Sequence, residues 1–183
     1  SLAEVAESLV PLGGSVLDLG TGSGVGAIVA ARRAARVVAV DINPAAVHCA
    51  RINAASNGVG DRVEVRQGDL FTPLAGERFD LVLFNPPFYR GTPRDDADRA
   101  WRSEDVPERF AAELAAHLAP GGSALVVLSS DGDAPGFLRA ASSAGLAIEV
   151  IAERDLINEV LRIYRITAPQ SSPLSPDGER GRR

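Results

Sequence analysis

Val16-Leu-Asp-Leu-Gly20-Thr-Gly22-Ser-Gly24 decides the fold. An apolar run enters a glycine-rich turn, and a stretch of helical character follows. In a doubly wound α/β sheet the turn after the first strand is where a ligand meets the backbone, because glycines reach positive φ and allow close approach. About 20 residues on, Val37-Val-Ala-Val-Asp41 is a second apolar run that ends in an acid. A carboxylate at that place accepts two hydrogen bonds from a ribose diol. A glycine turn alone reads as a tight turn; with Asp41 it reads as a nucleoside site.

Outward from this pair, β-branched runs alternate with amphipathic stretches. The predicted strands are Ser15–Leu19, Arg36–Asp41, Arg62–Gln67, Phe79–Phe84, Ser123–Ser129, Ala147–Glu153 and Val160–Thr167. The predicted helices are Gly24–Arg33, Pro44–Asn57, Glu104–Leu118 and Ala134–Ala144, with a further helical spacing over Ser1–Val10. Asn43 is an N-cap followed by Pro44 at the first helical position, Gly58 closes that helix, and Pro120-Gly121-Gly122 closes the next long one. The expectation is a Rossmann-like α/β fold, a seven-stranded, mostly parallel sheet with helices on both faces. The last two strands have no clear helix between them, so the last one is expected to run antiparallel. Residues 1–167 form one domain in this reading, and 168–183, with three prolines and little apolar content, a disordered tail.

Composition removes several classes. The 183 residues carry a formal charge of −5, one cysteine, two histidines and no lysine. A single thiol excludes an internal disulfide framework and a multi-thiolate metal site, and no metal ligands are assigned. Without lysine there is no Schiff base and no P-loop lysine. Apolar runs are far too short for a membrane span, so a cytoplasmic domain is expected. The acidity argues against a wide nucleic-acid footprint. Arg90, Arg94, Arg99 and Arg102 cluster but are interleaved with Asp95, Asp96 and Asp98, which reads as a solvated loop.

Charge also separates the cofactors such a loop could hold. A carboxylate at Asp18 would face a dinucleotide pyrophosphate at about 6 Å, costing roughly 3 kcal/mol at an effective dielectric of about 20. The same carboxylate favours S-adenosylmethionine, which carries a sulfonium, an ammonium and a ribose for Asp41. The dinucleotide fingerprint is also broken at Val25.

With these residues in hand, Val16–Gly24, Val40–Asn43, Gly68-Asp69-Leu70 and Asn85-Pro86-Pro87-Phe88 resemble, in order and spacing, the class I S-adenosylmethionine-dependent methyltransferases. The similarity spans about residues 2–167 and extends to the methyltransferase small domain. It implies cofactor contacts from Asp18, Gly20, Thr21, Gly22, Gly24, Asp41, Ile42, Asp69, Leu70 and Asn85. Within that set the resemblance implies that Asp69 approaches the adenine amino group and Leu70 packs near the ring.

Asn85-Pro86-Pro87-Phe88 follows the apolar strand ending at Phe84 and is the candidate catalytic segment. Two prolines fix φ near −65° and leave carbonyl acceptors on a rigid turn. The Asn85 side chain and the Pro86 carbonyl suit an NH2 group whose lone pair is delocalised, and Phe88 suits stacking on the planar group. No general base is needed, since the proton can leave to water. The bland alternative is an ordinary strand-to-loop turn.

The tetrapeptide is similar to those of methyltransferases acting on glutamine of peptide-chain release factors, on adenine N6 and on ribosomal-RNA guanine N2. Asp69-Leu-Phe71, Phe79-Asp80-Leu-Val, Trp101 and Leu128-Ser129-Ser130 resemble the release-factor group of the HemK type. Gly91 resembles the guanine enzymes, which usually carry histidine where Tyr89 stands. The short stretch ahead of the glycine loop is similar to single-domain glutamine methyltransferases that lean on a small zinc-binding activator subunit. The expected substrate is macromolecular, a protein glutamine before a structured RNA or DNA base. A cofactor-binding subunit with no activity of its own is the alternative of another class. Tyr89 and Trp101 are candidates for the substrate site; His48, Cys49, His117 and Glu159 read as packing or surface residues.

Overall fold

The computed structural model describes residues 7–86, 89–90, 102–103 and 105–169. Seven strands form one sheet: β1 (Ser15–Leu19), β2 (Arg36–Asp41), β3 (Val63–Gln67), β4 (Phe79–Phe84), β5 (Leu118–Ser129), β6 (Ala147–Leu156) and β7 (Glu159–Thr167), in the order β3-β2-β1-β4-β5-β7-β6. Pairing is parallel from β3 through β5, and β7 is antiparallel to both of its neighbours. The seven-stranded α/β expectation is met, including the direction of the last strand. The backbone of Tyr89–Arg90 also pairs with Arg102–Ser103.

Among the described residues, four complete helices follow: α1 (Val25–Ala30), α2 (Pro44–Ser56), α3 (Val106–His117) and α4 (Ala134–Ser143). Alternation along the strands sorts the core into two faces. Val16, Val37, Ala39, Val63 and Val65 pack with Ala27, Ala30, Val47 and Ala50 of α1 and α2. Leu17, Leu19, Val38, Val82 and Phe84 pack with Phe110 and Leu114 of α3 and Phe137 of α4. Phe110 stacks on Phe84 at 4.8 Å, the kind of buried aromatic pair that contributes about 1 kcal/mol beyond its area.

Local signals explain most boundaries. The Asn43 side chain accepts from the Ala45 amide at 2.9 Å, and Gly58 closes α2 at φ 68°. Two expectations change. Helix α1 ends at Ala30 rather than Arg33, because the following three residues form a turn. Pro120-Gly121-Gly122 lies within β5, where the register against β4 shifts between Phe79 and Leu81. A Cβ at Gly122 would stand 2.8 Å from the Phe79 carbonyl oxygen, so glycine is what lets this irregular segment press against β4. Of the predicted first helix only residues 7–10 are described, helical over 7–9 with a bend at Val10, and the tail expected after 167 lies outside the described residues apart from Ala168 and Pro169. No described helix is long and apolar enough to cross a membrane.

Candidate active site

Strands β1 and β4 are neighbours, with Leu19 opposite Phe84, so the turns that leave them emerge side by side. A Cβ at Gly20 would lie 3.9 Å from the Asn85 carbonyl oxygen. The glycine loop and the start of the tetrapeptide thus share one rim. Asn85 is exposed there and Pro86 is buried, while Pro87 and Phe88 lie outside the described residues.

The loop is held by carboxylates. Gly20, Gly22 and Gly24 all take positive φ (62°, 56° and 86°), a conformation open to glycine at little steric cost. Asp18 points to the α1 side of the sheet and is only 7% exposed. One of its oxygens accepts from the Thr21 hydroxyl at 2.6 Å and from the Ala27 amide at 2.9 Å. It thereby ties the strand, the loop and the first turn of α1 together. Burial raises its pKa to about 6; the two donors pull it down, and the charge of Asp41 pushes it up further.

Asp41, at the end of β2, accepts from the Gly22 amide at 2.9 Å with one oxygen and from the Asn43 amide at 2.9 Å with the other. Each oxygen retains a lone pair that a diol can use. A Cβ at Gly22 would meet nothing within 4 Å, so open space borders this face of the loop. Ile42 stands beside it, exposed. Thr21 is buried, and its amide donates to the Val40 carbonyl at 3.0 Å.

The third part of the rim follows β3. The Gly68 amide donates to the Asp41 carbonyl at 3.0 Å, and a Cβ at Gly68 would collide with Pro73 at 2.6 Å. Leu70 sits at φ 49°, the only non-glycine residue with positive φ among the described residues. Asp69 is half-buried and accepts from the Arg109 guanidinium at 2.8 Å. Sequence reasoning had no sign of Arg109, since 40 residues separate the pair. It also passed over Gly26: a Cβ there would lie 2.8 Å from both Asp18 oxygens. That signal was readable as a glycine in the first turn of a helix behind a strand-end acid.

The other candidates stand apart. His48 and Cys49 are exposed on α2. His117 stacks on Phe71 at 4.6 Å, with its Nδ1 2.9 Å from the Glu77 carbonyl oxygen. The ring turns toward the loop after β3 and packs there. Glu159 is half-buried, and the Ser129 hydroxyl donates to it. Trp101 and Arg94, Arg99, Asp95, Asp96 and Asp98 lie outside the described residues, as do the side chains of Tyr89, Arg90 and Arg102.

The family model for the methyltransferase small domain matches residues 2–153. The chain belongs to that family. Its members are S-adenosylmethionine-dependent methyltransferases. The domain is 42% identical over 150 residues to ribosomal protein L11 methyltransferase of Pelotomaculum thermopropionicum, covering 81% of this chain and 42% of the relative. It is 38% identical over 121 residues to ribosomal protein uL3 glutamine methyltransferase of Bradyrhizobium diazoefficiens, covering 58% and 38%. A crystal structure of an RNA methyltransferase from Salinibacter ruber, in complex with S-adenosyl-L-homocysteine, superposes with a TM-score of 0.59 at 26% identity and covers 97% of this chain and 96% of that one. Other relatives are named for release-factor glutamine, ribosomal RNA and tRNA adenine methylation. The domain spans less than half the length of the two curated relatives described.

Proposed function

We propose that this domain transfers a methyl group from S-adenosylmethionine to a planar NH2 nitrogen, and that the acceptor is a glutamine side chain of a protein such as a release factor, in the cytoplasm. The observation that carries the reading is the adjacency of Gly20 and the Asn85 carbonyl on one rim. The donor set suits the cofactor: two carboxylates, Asp41 and Asp69, border the glycine loop and suit hydroxyls and an amine, while Asp18 behind it holds the loop in shape and adds negative charge. When bound, the cofactor supplies a methyl group on an electron-poor sulfur. In this reading Asp41 holds the ribose diol, Asp69 accepts from the adenine amino group, Leu70 and Ile42 flank the nucleoside, and Gly20, Thr21, Gly22 and Gly24 shape the loop.

The Asn85 side-chain oxygen and the Pro86 carbonyl accept the two N–H bonds of the substrate nitrogen, while Pro87 stiffens the turn and Phe88 stacks on the planar group. Holding both N–H bonds frees the nitrogen lone pair from conjugation and stabilises the positive charge that develops on it. By analogy with one oxyanion-hole donor, each acceptor lowers the barrier by roughly 3 kcal/mol. Alignment of the nitrogen against the sulfur supplies much of the rest.

A protein acceptor is favoured by the net charge of −5, and by relatives named for glutamine methylation. An RNA base is the second reading, favoured by the near-complete coverage of the Salinibacter ruber enzyme. The test incubates the protein with labelled cofactor and a cell extract split into protein and RNA fractions. Label in glutamine of a protein is expected; label in RNA alone reverses the substrate. Label that needs an extract component besides the substrate points to a small activator subunit, and no label in either fraction points to a cofactor-binding subunit. Asn85→Ala should lower turnover by about a hundredfold while cofactor affinity stays within a few-fold; unchanged turnover removes Asn85 from the chemistry.

A further inference from the structure

We infer that Arg109 is a positioning residue for the adenine end of the cofactor site, and that by fixing Asp69 it sets the preference for a 6-amino over a 6-oxo purine. The inference rests on the reading of Asp69 as the acid that faces adenine.

The loop after β3 is fastened to α3 by two successive residues. Phe110 takes the apolar side, stacking on Phe71 at 5.9 Å, and Arg109 takes the polar side, donating to Asp69 Oδ2 at 2.8 Å. The Asp69 amide donates to the Thr72 hydroxyl at 3.1 Å, which curls the backbone and leads into the positive φ of Leu70. The backbone of Asp69 is thereby fixed from its own loop, and the remaining freedom of the side chain is its χ rotation. Arg109 removes that freedom. It occupies Oδ2 and leaves Oδ1 with no donor among the described residues. A carboxylate held by one oxygen presents the other as a pure acceptor in one direction.

An acceptor of that kind discriminates. A 6-amino purine offers an N–H to it, whereas a 6-oxo purine brings an oxygen lone pair against a negative charge. The surroundings strengthen the need for this particular cation. Arg109 Nη1 lies 3.8 Å from Asp105, and Glu113 also acts on the guanidinium, so Arg109 stands among three acids. Its pKa is raised, first by the Asp69 hydrogen bond, so the charge is permanent. Without it, Asp69 would face uncompensated acids of α3 and turn away from them. Both side chains are about one third exposed, so the pair contributes little to folding, and its value lies in direction.

The test titrates the whole chain by calorimetry with S-adenosylhomocysteine and with its deaminated counterpart, S-inosylhomocysteine, for wild type, Arg109→Gln, Asp69→Asn and the double variant. Arg109→Gln should weaken the adenosyl ligand by about tenfold, the effect of one charge-assisted hydrogen bond. It should leave the inosyl ligand within about twofold, so the ratio of affinities collapses; the double variant should match Asp69→Asn. Arg109→Lys should restore part of the ratio, since it keeps the charge and loses the fork. Equal weakening of both ligands, or additive effects in the double variant, overturns the positioning role and leaves Arg109 no more than structural. An unchanged ratio in Asp69→Asn overturns the adenine reading itself, and the inference with it. Melting temperatures measured alongside separate either result from loss of fold.

Discussion

Asp18 and Asp69 both stand at the carboxyl side of the sheet, one at the end of β1 and one just after β3, and the fold treats their charges in opposite ways. Asp18 is buried and, among the described residues, accepts from a hydroxyl and a backbone amide, both neutral donors. Asp69 is half-buried and meets a guanidinium. Hydrogen bonds from neutral groups satisfy the oxygen of Asp18 but do not cancel the cost of burying its charge. A fixed cation cancels much of that cost for Asp69, at the surface where salt can compete. The first acid is therefore sensitive to protons and the second to ions.

The largest effect expected from this contrast is a pH dependence that belongs to Asp18. Its pKa rises from an ordinary 3.8 to about 6 on folding. The folded chain then holds the proton more tightly than the unfolded chain, so the contribution to stability is fully present below pH 3.8 and is lost as pH rises through about 6. At about 1.4 kcal/mol per unit this amounts to roughly 3 kcal/mol. Cofactor binding should show the reverse slope. A sulfonium favours the ionised acid, so S-adenosylmethionine should bind up to about tenfold more weakly at pH 5 than at pH 7, and S-adenosylhomocysteine should vary less. Asp18→Asn should flatten both profiles. Slopes that survive that substitution, read by calorimetry and thermal unfolding, would assign them to another group.

Gly26→Ala sharpens the same side of the comparison with a smaller effect. Its Cβ would lie 2.8 Å from both Asp18 oxygens, so the carboxylate must shift and lose its hold on Thr21 and Ala27. Forcing a methyl group into so tight a place costs about 2 kcal/mol, a fall in melting temperature of about 6 °C for a chain of this length. A melting temperature within a degree of wild type would mean that α1 yields instead.

The contrast also measures how far the chain could be read. Everything on the Asp18 side is local: Gly20 and Gly22 follow β1 directly and Asp41 ends β2, two adjacent strands whose apolar runs are plain, and the sheet order follows from β–α alternation. Asp18 itself was expected to face the ligand with its charge. In the structure it faces the Thr21 hydroxyl and the Ala27 amide, because residue parity along β1 turns it with Val16 toward α1. The Asp69 side depends on α3 folding back across the sheet, so neither Arg109 nor the stack of Phe71 with Phe110 and His117 has any short-range signature. The irregular segment at Pro120-Gly121-Gly122 departs from its expected place as a helix stop for the same reason. Proline and glycine announce a break in regular structure, but only the neighbouring β4 decides whether the chain turns away or bulges against it.

The smallest effect expected is the salt response of the Asp69 pair. With both side chains about one third exposed, the Asp69–Arg109 bridge should stabilise the folded chain by less than about 1 kcal/mol, so Arg109→Gln should move the melting temperature by no more than about 3 °C. Raising ionic strength shortens the Debye length from about 10 Å at 0.1 M to about 3 Å at 1 M. Wild type should lose part of its adenosyl-over-inosyl preference over that range, whereas Arg109→Gln, with no bridge left to screen, should keep a low and constant ratio. The pH profile assigned to Asp18 should hardly move with salt, since a buried acid among neutral donors has no ion pair to screen. If the two acids instead responded alike to salt, charge at this rim would be governed by the field of the whole domain, and the division between a proton-sensitive and an ion-sensitive carboxylate would fail.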